Sequence, residues 1–359
     1  MGLSIICLSI MSLTCQSHTF SGILMGMGNP LLDISANVPQ EVLDKYQVKL
    51  DSAILCEDLH KPVYAELVEK YSPQFIAGGA TQNSIRVAQW MLQDKKGQTA
   101  FMGCVGNDEY GTKLEDCASA DGVLVHYMKD ESTETGTCAC LIKDGERALI
   151  ANLAAANNFK PSHLETDKAK EIVASAKFYY MAGFFLTVSV EALTQVADHA
   201  VAENKVVALN LSAPFIVDFF GDQLATALEY SDFLFGNESE AAAFATKHDL
   251  GDDLSVVALK VAAMPKKNDK RKRMVVFTQG SKSTLVAYDG KVTEYAVEEL
   301  AADKLVDTNG AGDAFVGGFL SQLVQDKPIE ECVDAGHFAA RFIIQTSGTQ
   351  LPETCNYKK

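Results

Sequence analysis

The densest chemistry in the chain lies in the segment Leu305-Val-Asp-Thr-Asn-Gly-Ala-Gly-Asp-Ala-Phe-Val-Gly-Gly-Phe319. An apolar strand end runs into Asp307, Thr308 and Asn309, then Gly310, Ala311 and Gly312, and then a helical pattern that continues to about Val324. Glycines at a helix start let backbone N–H groups face open space. Those groups and the helix dipole together favour an anion. Asp313 falls in the first turn, at the lip of such a pocket. A carboxylate there can take a proton from an alcohol while the N–H groups hold a transferring phosphoryl group. Asp also caps helices without any chemistry; the Gly-x-Gly-Asp crowding favours the functional reading. Gly317 and Gly318 let the helix approach a neighbour closely.

Three further segments carry chemically useful residues. Ala77-Gly-Gly-Ala-Thr-Gln-Asn-Ser84 sits between a strand and a helix. Its paired glycines allow close backbone approach to a ligand, and Asn83 lies on the first helical turn facing the same crevice; a plain tight turn uses the same residues. Met25-Gly-Met-Gly-Asn-Pro-Leu-Leu-Asp33 places Asn29 and Asp33 after the first strand. Gly26-x-Gly28 suggests a dinucleotide-binding turn, but the third glycine is missing and Pro30 blocks an immediate helix, so a nicotinamide-dependent oxidoreductase is set aside. No Gly-x-x-x-x-Gly-Lys-Ser/Thr run exists, which excludes a P-loop. In Phe235-Gly-Asn-Glu-Ser-Glu240, Asn237 and Glu240 are three apart on one helix face. An amide and a carboxylate so placed can position Mg²⁺ and its waters, or simply form a capping box.

The elements that must position these residues follow from periodicity. Short apolar runs at Ile23–Met27, Phe75–Ala77, Thr99–Val105, Phe178–Met181, Val206–Leu211, Phe233–Phe235 and Met274–Phe277 read as strands. Helical patterns at Thr81–Leu92, Tyr110–Ala120, Val188–Glu203 and Glu238–His248 alternate with them. Fully apolar strands alternating with helices predict a mostly parallel sheet covered on both faces. Residues 31–38, 51–57 and 123–153 read as β without intervening helices. They predict a small separate sheet, placed to act as a lid.

The chain has 359 residues, 47% of them hydrophobic, enough for a large core, and a formal net charge of −16. That acidity argues against broad electrostatic binding to nucleic acid or an anionic membrane. Nine irregularly spaced Cys with no Cys-x-x-Cys pair read as reduced thiols of a cytoplasmic protein. Residues 1–21 read as a poorly ordered extension before the domain at 22–359. Their apolar run Leu3–Leu13 is too short to span a bilayer; it matches a signal's h-region, yet no Lys or Arg precedes Lys45. The run Lys266–Arg273 holds six basic residues in eight and reads as a solvated loop or, more sharply, as a nuclear-import signal.

The four chemical segments, in this order, resemble the ribokinase-like (PfkB) family of sugar and nucleoside kinases. The likeness extends to Ser84-Ile-Arg-Val-Ala-Gln-Trp90, Leu149-Ile-Ala-Asn-Leu-Ala-Ala-Ala-Asn157, Ala182-Gly-Phe-Phe-Leu-Thr-Val188 and Asn210-Leu-Ser-Ala-Pro-Phe215, and runs from about Ile23 to Glu353. It implies a three-layer α/β/α domain with a small β lid. It also implies transfer of the γ-phosphoryl of ATP to the 5′-hydroxyl of adenosine, giving AMP and ADP in purine salvage, with Mg²⁺ as cofactor, in a monomer. By this resemblance Asp313 is the base, Gly310, Ala311 and Gly312 form the anion hole, and Arg147 reaches the phosphoryl group from the lid. Asn29, Asp33, Leu55, Gly79, Asn83, Cys138, Leu149, Ala151, Leu153, Phe184, Phe215 and Asn309 bind the nucleoside. Asn237, Glu240, Thr278, Gly280 and His337 mark the ATP side, with Glu240 reaching the metal through water. Ala80 and Ala53 depart from the Ser and Gln of similar nucleoside kinases, which bears on tolerance for other nucleosides. The competing expectations are a kinase of another nucleoside or a sugar, and a catalytically silent nucleoside-binding protein.

Overall fold

The computed structural model describes residues 22–50, 52–93, 97–144, 146–346 and 348–358. The extension expected at 1–21 and the side chain of Ala53 lie outside what is described. In chain order the strands are β1 (Leu24–Met27), β2 (Leu31–Asn37), β3 (Ser52–Leu55), β4 (Gln74–Gly78), β5 (Thr99–Met102), β6 (Cys104–Gly106), β7 (Leu124–Val125), β8 (Met128–Asp130), β9 (Thr137–Lys143), β10 (Glu146–Asn152), β11 (Phe178–Ala182), β12 (Val206–Asn210), β13 (Phe233–Asn237), β14 (Met274–Gln279), β15 (Lys282–Tyr288) and β16 (Lys291–Tyr295). The α-helices are α1 (Gln40–Lys45), α2 (Val63–Lys70), α3 (Ala80–Met91), α4 (Glu109–Ala120), α5 (Asp167–Ser175), α6 (Val190–Ala202), α7 (Pro214–Phe219), α8 (Gly221–Leu228), α9 (Glu238–His248), α10 (Leu254–Ala262), α11 (Ala311–Leu323) and α12 (Ile329–Ile343).

Nine strands form one sheet in the order β16-β15-β14-β13-β12-β11-β1-β5-β7. Its members pair in parallel from β7 to β14, and β15 and β16 add an antiparallel edge. Because side chains alternate along a strand, adjacent residues feed opposite cores. Met25, Met181, Leu209 and Phe277 pack with α5, α6, α9 and α10. Leu24, Tyr180, Phe235 and Val276 pack with α3, α4, α11 and α12. The result is a three-layer α/β/α architecture.

A second sheet of five strands, in the order β3-β10-β9-β2-β4, stands apart. One face carries Ile34, Ala139, Leu141, Ala148 and Ile150, buried under Val42, Leu43, Val63 and Leu67 of α1 and α2. Two expectations differ here. Phe75–Ala77, read as a strand of the body, belongs to β4 and pairs antiparallel with β2 of the small sheet. Residues 123–130, read as part of the small sheet, divide differently: β7 extends the large sheet and β8 pairs with β6 in a two-stranded ribbon. Pairing partners far along the chain decide such assignments, and periodicity does not reveal them.

The basic run is a loop that is solvated only in part: Lys267, Lys270 and Lys272 are exposed, and the other three basic residues turn inward. Lys266 and Arg271 both pair with Asp232, which is 1% exposed and also accepts from Val207 N–H. Arg273 is likewise 1% exposed and donates to the carbonyls of Leu228, Ser231, Val261, Met264 and Pro265. The run therefore stitches the loop before β14 to the ends of α8 and α10. Arg273→Ala should strip those carbonyls of a buried charged donor and cost about 3 kcal/mol or more. A lower urea midpoint at unchanged m checks this; an unchanged midpoint contradicts it.

Candidate active site

The site lies where the carboxyl ends of the parallel strands meet the small sheet. Strands β11, β12, β13 and β14 end at Ala182, Asn210, Asn237 and Gln279. These ends and the start of α11 line a half-open cavity of about 150 Å³. Its walls include Phe184, Asn210, Ser212, Phe235, Asn237, Glu240, Thr278, Gly310, Gly312, Asp313 and Phe315. Ligands in open α/β sheets bind at this edge because loops and helix N-termini converge there.

Three helices hold the edge together through residues without side chains. A Cβ at Gly317 would come within 2.5 Å of the Ser84 carbonyl of α3, and one at Gly318 within 2.3 Å of the Ala335 carbonyl of α12. The N-terminus of α11 is thereby fixed beside that of α3. At the start of α3, Gly79 has φ +95, and a Cβ there would strike the Asn29 carbonyl at 2.1 Å. Only glycine lets β4 turn into α3 this close to the end of β1.

Gly310 precedes α11 with φ +78. The Ala311 N–H turns back to the Thr308 carbonyl at 3.2 Å, so this amide is engaged within the loop. The amides of Gly312 and Asp313, in the first turn, have no acceptor within the helix. A Cβ at Gly312 would meet nothing within 4 Å, which leaves room for a group outside the turn. Asn309 folds onto its own loop, donating its backbone N–H and its Nδ2 to Asp307 Oδ1 at 3.0 Å each. Asp307 also pairs with Arg147 of β10 at 3.0 Å, both almost wholly buried. Arg147 thus ties the small sheet to the head of the glycine loop and does not line the cavity.

Asp313 accepts from Asn83 Nδ2 at 3.1 Å. Burial pushes its pKa up to about 7; the Asn83 hydrogen bond opposes that push, and the charges of Glu240 and Asp33 add to it. Asp33 is also raised to about 7 by burial, against the pull of Arg86 and Arg147. Glu240 is raised by burial as well. Asn237 and Glu240 form a reciprocal capping box at the start of α9: Asn237 Oδ1 accepts from Glu240 N–H and Glu240 Oε2 from Asn237 N–H. The box and the cavity wall are the same residues, so the structural role does not displace a binding one. Among the described residues no group of three His, Cys, Asp or Glu side chains could hold a metal ion. One wall carboxylate, Glu240, suits a Mg²⁺ held through water.

The residues expected around a nucleoside fall into a pattern on the small sheet. Asp33, Cys138, Ala151 and Leu55 are register partners across β2, β9, β10 and β3, so they share one rung. Leu149 and Arg147 follow along β10 on the same face, opposite the face covered by α1 and α2. Leu55 is 64% exposed, an apolar side chain with no cover. Asn29 donates to the Ala156 carbonyl and to Asn157 Oδ1, while its own Oδ1 is buried with no hydrogen-bond partner. Leu153 leads into the short helical turn that carries Ala156. Phe184 and Phe215 stand with ring centroids 6.0 Å apart.

Of the five residues expected on the ATP side, two stand outside the cavity wall. Gly280 lies in the hairpin between β14 and β15, and His337 of α12 bonds Thr284 at 2.8 Å behind the ring of Phe315. Other wall residues carried no assignment from the sequence. Ser212 has φ +71 and accepts from Gly183 N–H at 2.7 Å, shaping the wall between β11 and β12. Its signal was the polar Asn-x-Ser after an apolar strand. Arg86, three residues beyond Asn83, was hidden within a helical pattern.

A cavity with an acidic group of raised pKa beside unsatisfied helix amides is equipped to take a proton from an alcohol and hold an anion. Residues 44–355 match the model of the pfkB family of carbohydrate kinases. The chain belongs to that family, and it is an ATP-dependent phosphotransferase. It is 55% identical to adenosine kinase 1 of Arabidopsis thaliana over 94% of this chain and 98% of that protein. It is similar to the crystal structure of Anopheles gambiae adenosine kinase in complex with P1,P4-di(adenosine-5) tetraphosphate, with a TM-score of 0.82 and 49% identity over 91% of this chain and 96% of that one. The apo structure of Trypanosoma brucei brucei adenosine kinase matches with a TM-score of 0.88 at 35% identity, over 90% and 99% of the two chains.

The raised carboxyl at 313 has a stability consequence with a definite sign. The folded pKa lies above the unfolded one, so the folded state binds the extra proton and loses stability as pH rises from about 4 to about 7. Asp313→Asn should therefore raise Tm at pH 8 and change it little at pH 4, as measured by calorimetry. A Tm gain as large at pH 4 as at pH 8 contradicts the shift.

Proposed function

We propose that this protein transfers the γ-phosphoryl group of ATP to the 5′-hydroxyl of adenosine, giving AMP and ADP. The observation that carries this reading is the single cavity that joins Asp313, the open amides of α11 and the Asn237–Glu240 pair. The near-full-length identity to adenosine kinases supports the acceptor. Adenosine lies between the rung of Asp33, Cys138, Ala151 and Leu55 and the edge of the large sheet. Asp33, Gly79 and Asn83 meet the ribose hydroxyls, and Asn29 offers them its unpaired oxygen. Phe184 and Phe215 supply flat apolar walls for a purine.

Asp313 orients the 5′-oxygen and takes its proton as the oxygen attacks in line. The amides at Gly312 and Asp313 hold the charge that develops on the phosphoryl oxygens, and Gly310 gives the loop its turn. Arg147, held by Asp307, brings positive charge to the head of the same loop when the small sheet closes. Closure over adenosine excludes water and so suppresses hydrolysis of ATP. Asn237, Glu240 and Thr278 face the nucleotide, with Gly280 and His337 beside its outer end. Glu240, with Asn237 beside it, would hold Mg²⁺ through water, and the ion would supply positive charge to offset that of the phosphates.

The protein acts as a monomer in the cytoplasm. The outer face of the small sheet is already covered by α1 and α2, so it offers no open sheet for a second copy. No helix among the described residues is long and apolar enough to cross a membrane. Lys266, Arg271 and Arg273 of the basic run are spent on internal partners, while Lys267, Lys270 and Lys272 stay exposed, so half of its charge is open to an import receptor.

Asp313→Asn should retain adenosine binding and lose about 10²-fold or more in turnover, read by ADP release and by calorimetric titration. Near-normal turnover would refute the base assignment. A panel of adenosine, other nucleosides, ribose and fructose with ATP and Mg²⁺ should show the highest kcat/KM for adenosine. Faster turnover of a sugar would favour the sugar-kinase reading, and no ADP release at all a silent binding protein.

A further inference from the structure

We propose that Arg86 is a positioning residue for the reaction: by donating to Asn83 Oδ1 it locks the Asn83 amide so that Nδ2 faces the Asp313 carboxylate. Arg86 is 3% exposed and lies three residues after Asn83, on the same face of α3. Its Nη1 donates to Asn83 Oδ1 at 3.3 Å and to the Ala77 carbonyl, and its Nη2 donates to the Thr349 carbonyl at 3.1 Å. Its Nε donates to Asp121 Oδ2 at 2.6 Å. Four acceptors from four places in the chain therefore fix the guanidinium. The line Asp121–Arg86–Asn83–Asp313 runs from the end of α4 to the cavity.

An amide can turn over and exchange its oxygen for its nitrogen. Arginine has donors only. A turned amide would set two donors against each other at Arg86 and two acceptors against each other at Asp313. Arg86 thus selects one orientation, and that orientation gives the carboxylate a donor. Around Asp313 the other charged or titratable groups are Glu240 of α9, Asp33 of β2 and Tyr180 of β11. The two acids disfavour its ionised form, and Asn83 is the side chain that favours it. Around Arg86 stand Asp121 just past the end of α4, Cys117 of α4, Tyr127 between β7 and β8, and Asp33 of β2.

This inference rests on Asp313 being the base, and one experiment separates the two. The pH dependence of kcat is measured with saturating adenosine and MgATP for the wild type, Arg86→Met, Arg86→Lys, Asp121→Asn and Asp313→Asn. For Arg86→Met, kcat should fall about tenfold, and the acidic limb should move to higher pH by about half a unit or more. A lysine amine also only donates, so Arg86→Lys should restore the limb. Asp121→Asn, outside the cavity, should move it the same way by less, and these two variants carry the test where Arg86→Met does not fold. A limb that stays at the wild-type pH in Arg86→Met and Asp121→Asn, whatever their Tm, overturns the positioning role. Near-normal turnover by Asp313→Asn overturns the base and, with it, any need to position it.

Discussion

One constraint organises the molecule: a carboxylate, Asp313, is buried in a cleft with two other acids and still has to be able to ionise. Burial drives Asp313 toward its neutral form, up to about 7, and two more acids, Asp33 and Glu240, push the same way. A fully neutral group could not take a proton, and a fully solvated one would sit where water competes with the acceptor. The cleft settles between these limits by giving Asp313 one amide donor, Asn83, and a place in the first turn of α11, where the helix dipole favours negative charge. In the proposed reaction the same turn receives a phosphoryl group, so base and anion hole would draw on a single helix end.

That end is held by packing more than by hydrogen bonds. Gly317 and Gly318 let α11 touch α3 and α12 at backbone distance. The three starts that matter, those of α3, α9 and α11, follow strands of one sheet or lie against them. The small sheet is joined to this body through Arg147 and Asp307, a buried ion pair at the head of the glycine loop. Breaking such a pair leaves a buried charge uncompensated, so the position of the small sheet and the shape of the loop are coupled.

Much of this was legible in the residues. The apolar strands, the helices at α3, α6 and α9, and the Gly-x-Gly-Asp helix start follow from local pattern, and each falls within a few residues of its expected place. What local pattern missed depends on distant partners. Phe75–Ala77 is as apolar as a body strand, but β2 competes for it and wins. Residues 123–130 are β in either arrangement, and only pairing with β5 and β6 shows where they go. The basic run reads as surface throughout because charge normally is; Asp232 and a ring of carbonyls draw Lys266, Arg271 and Arg273 inward. Arg86 was invisible for the same reason: its meaning lies in Asp121 and Thr349, 35 and 263 residues away.

The central claim is that Asp313 titrates near neutrality because of where it is buried. Carbon-13 NMR of the aspartate carboxyls, with Asp313 assigned by its absence in Asp313→Asn, measures that directly. The account predicts a carboxyl signal that titrates near 7 and disappears in the variant. A signal for Asp313 that titrates near 4, as an exposed aspartate does, would contradict it.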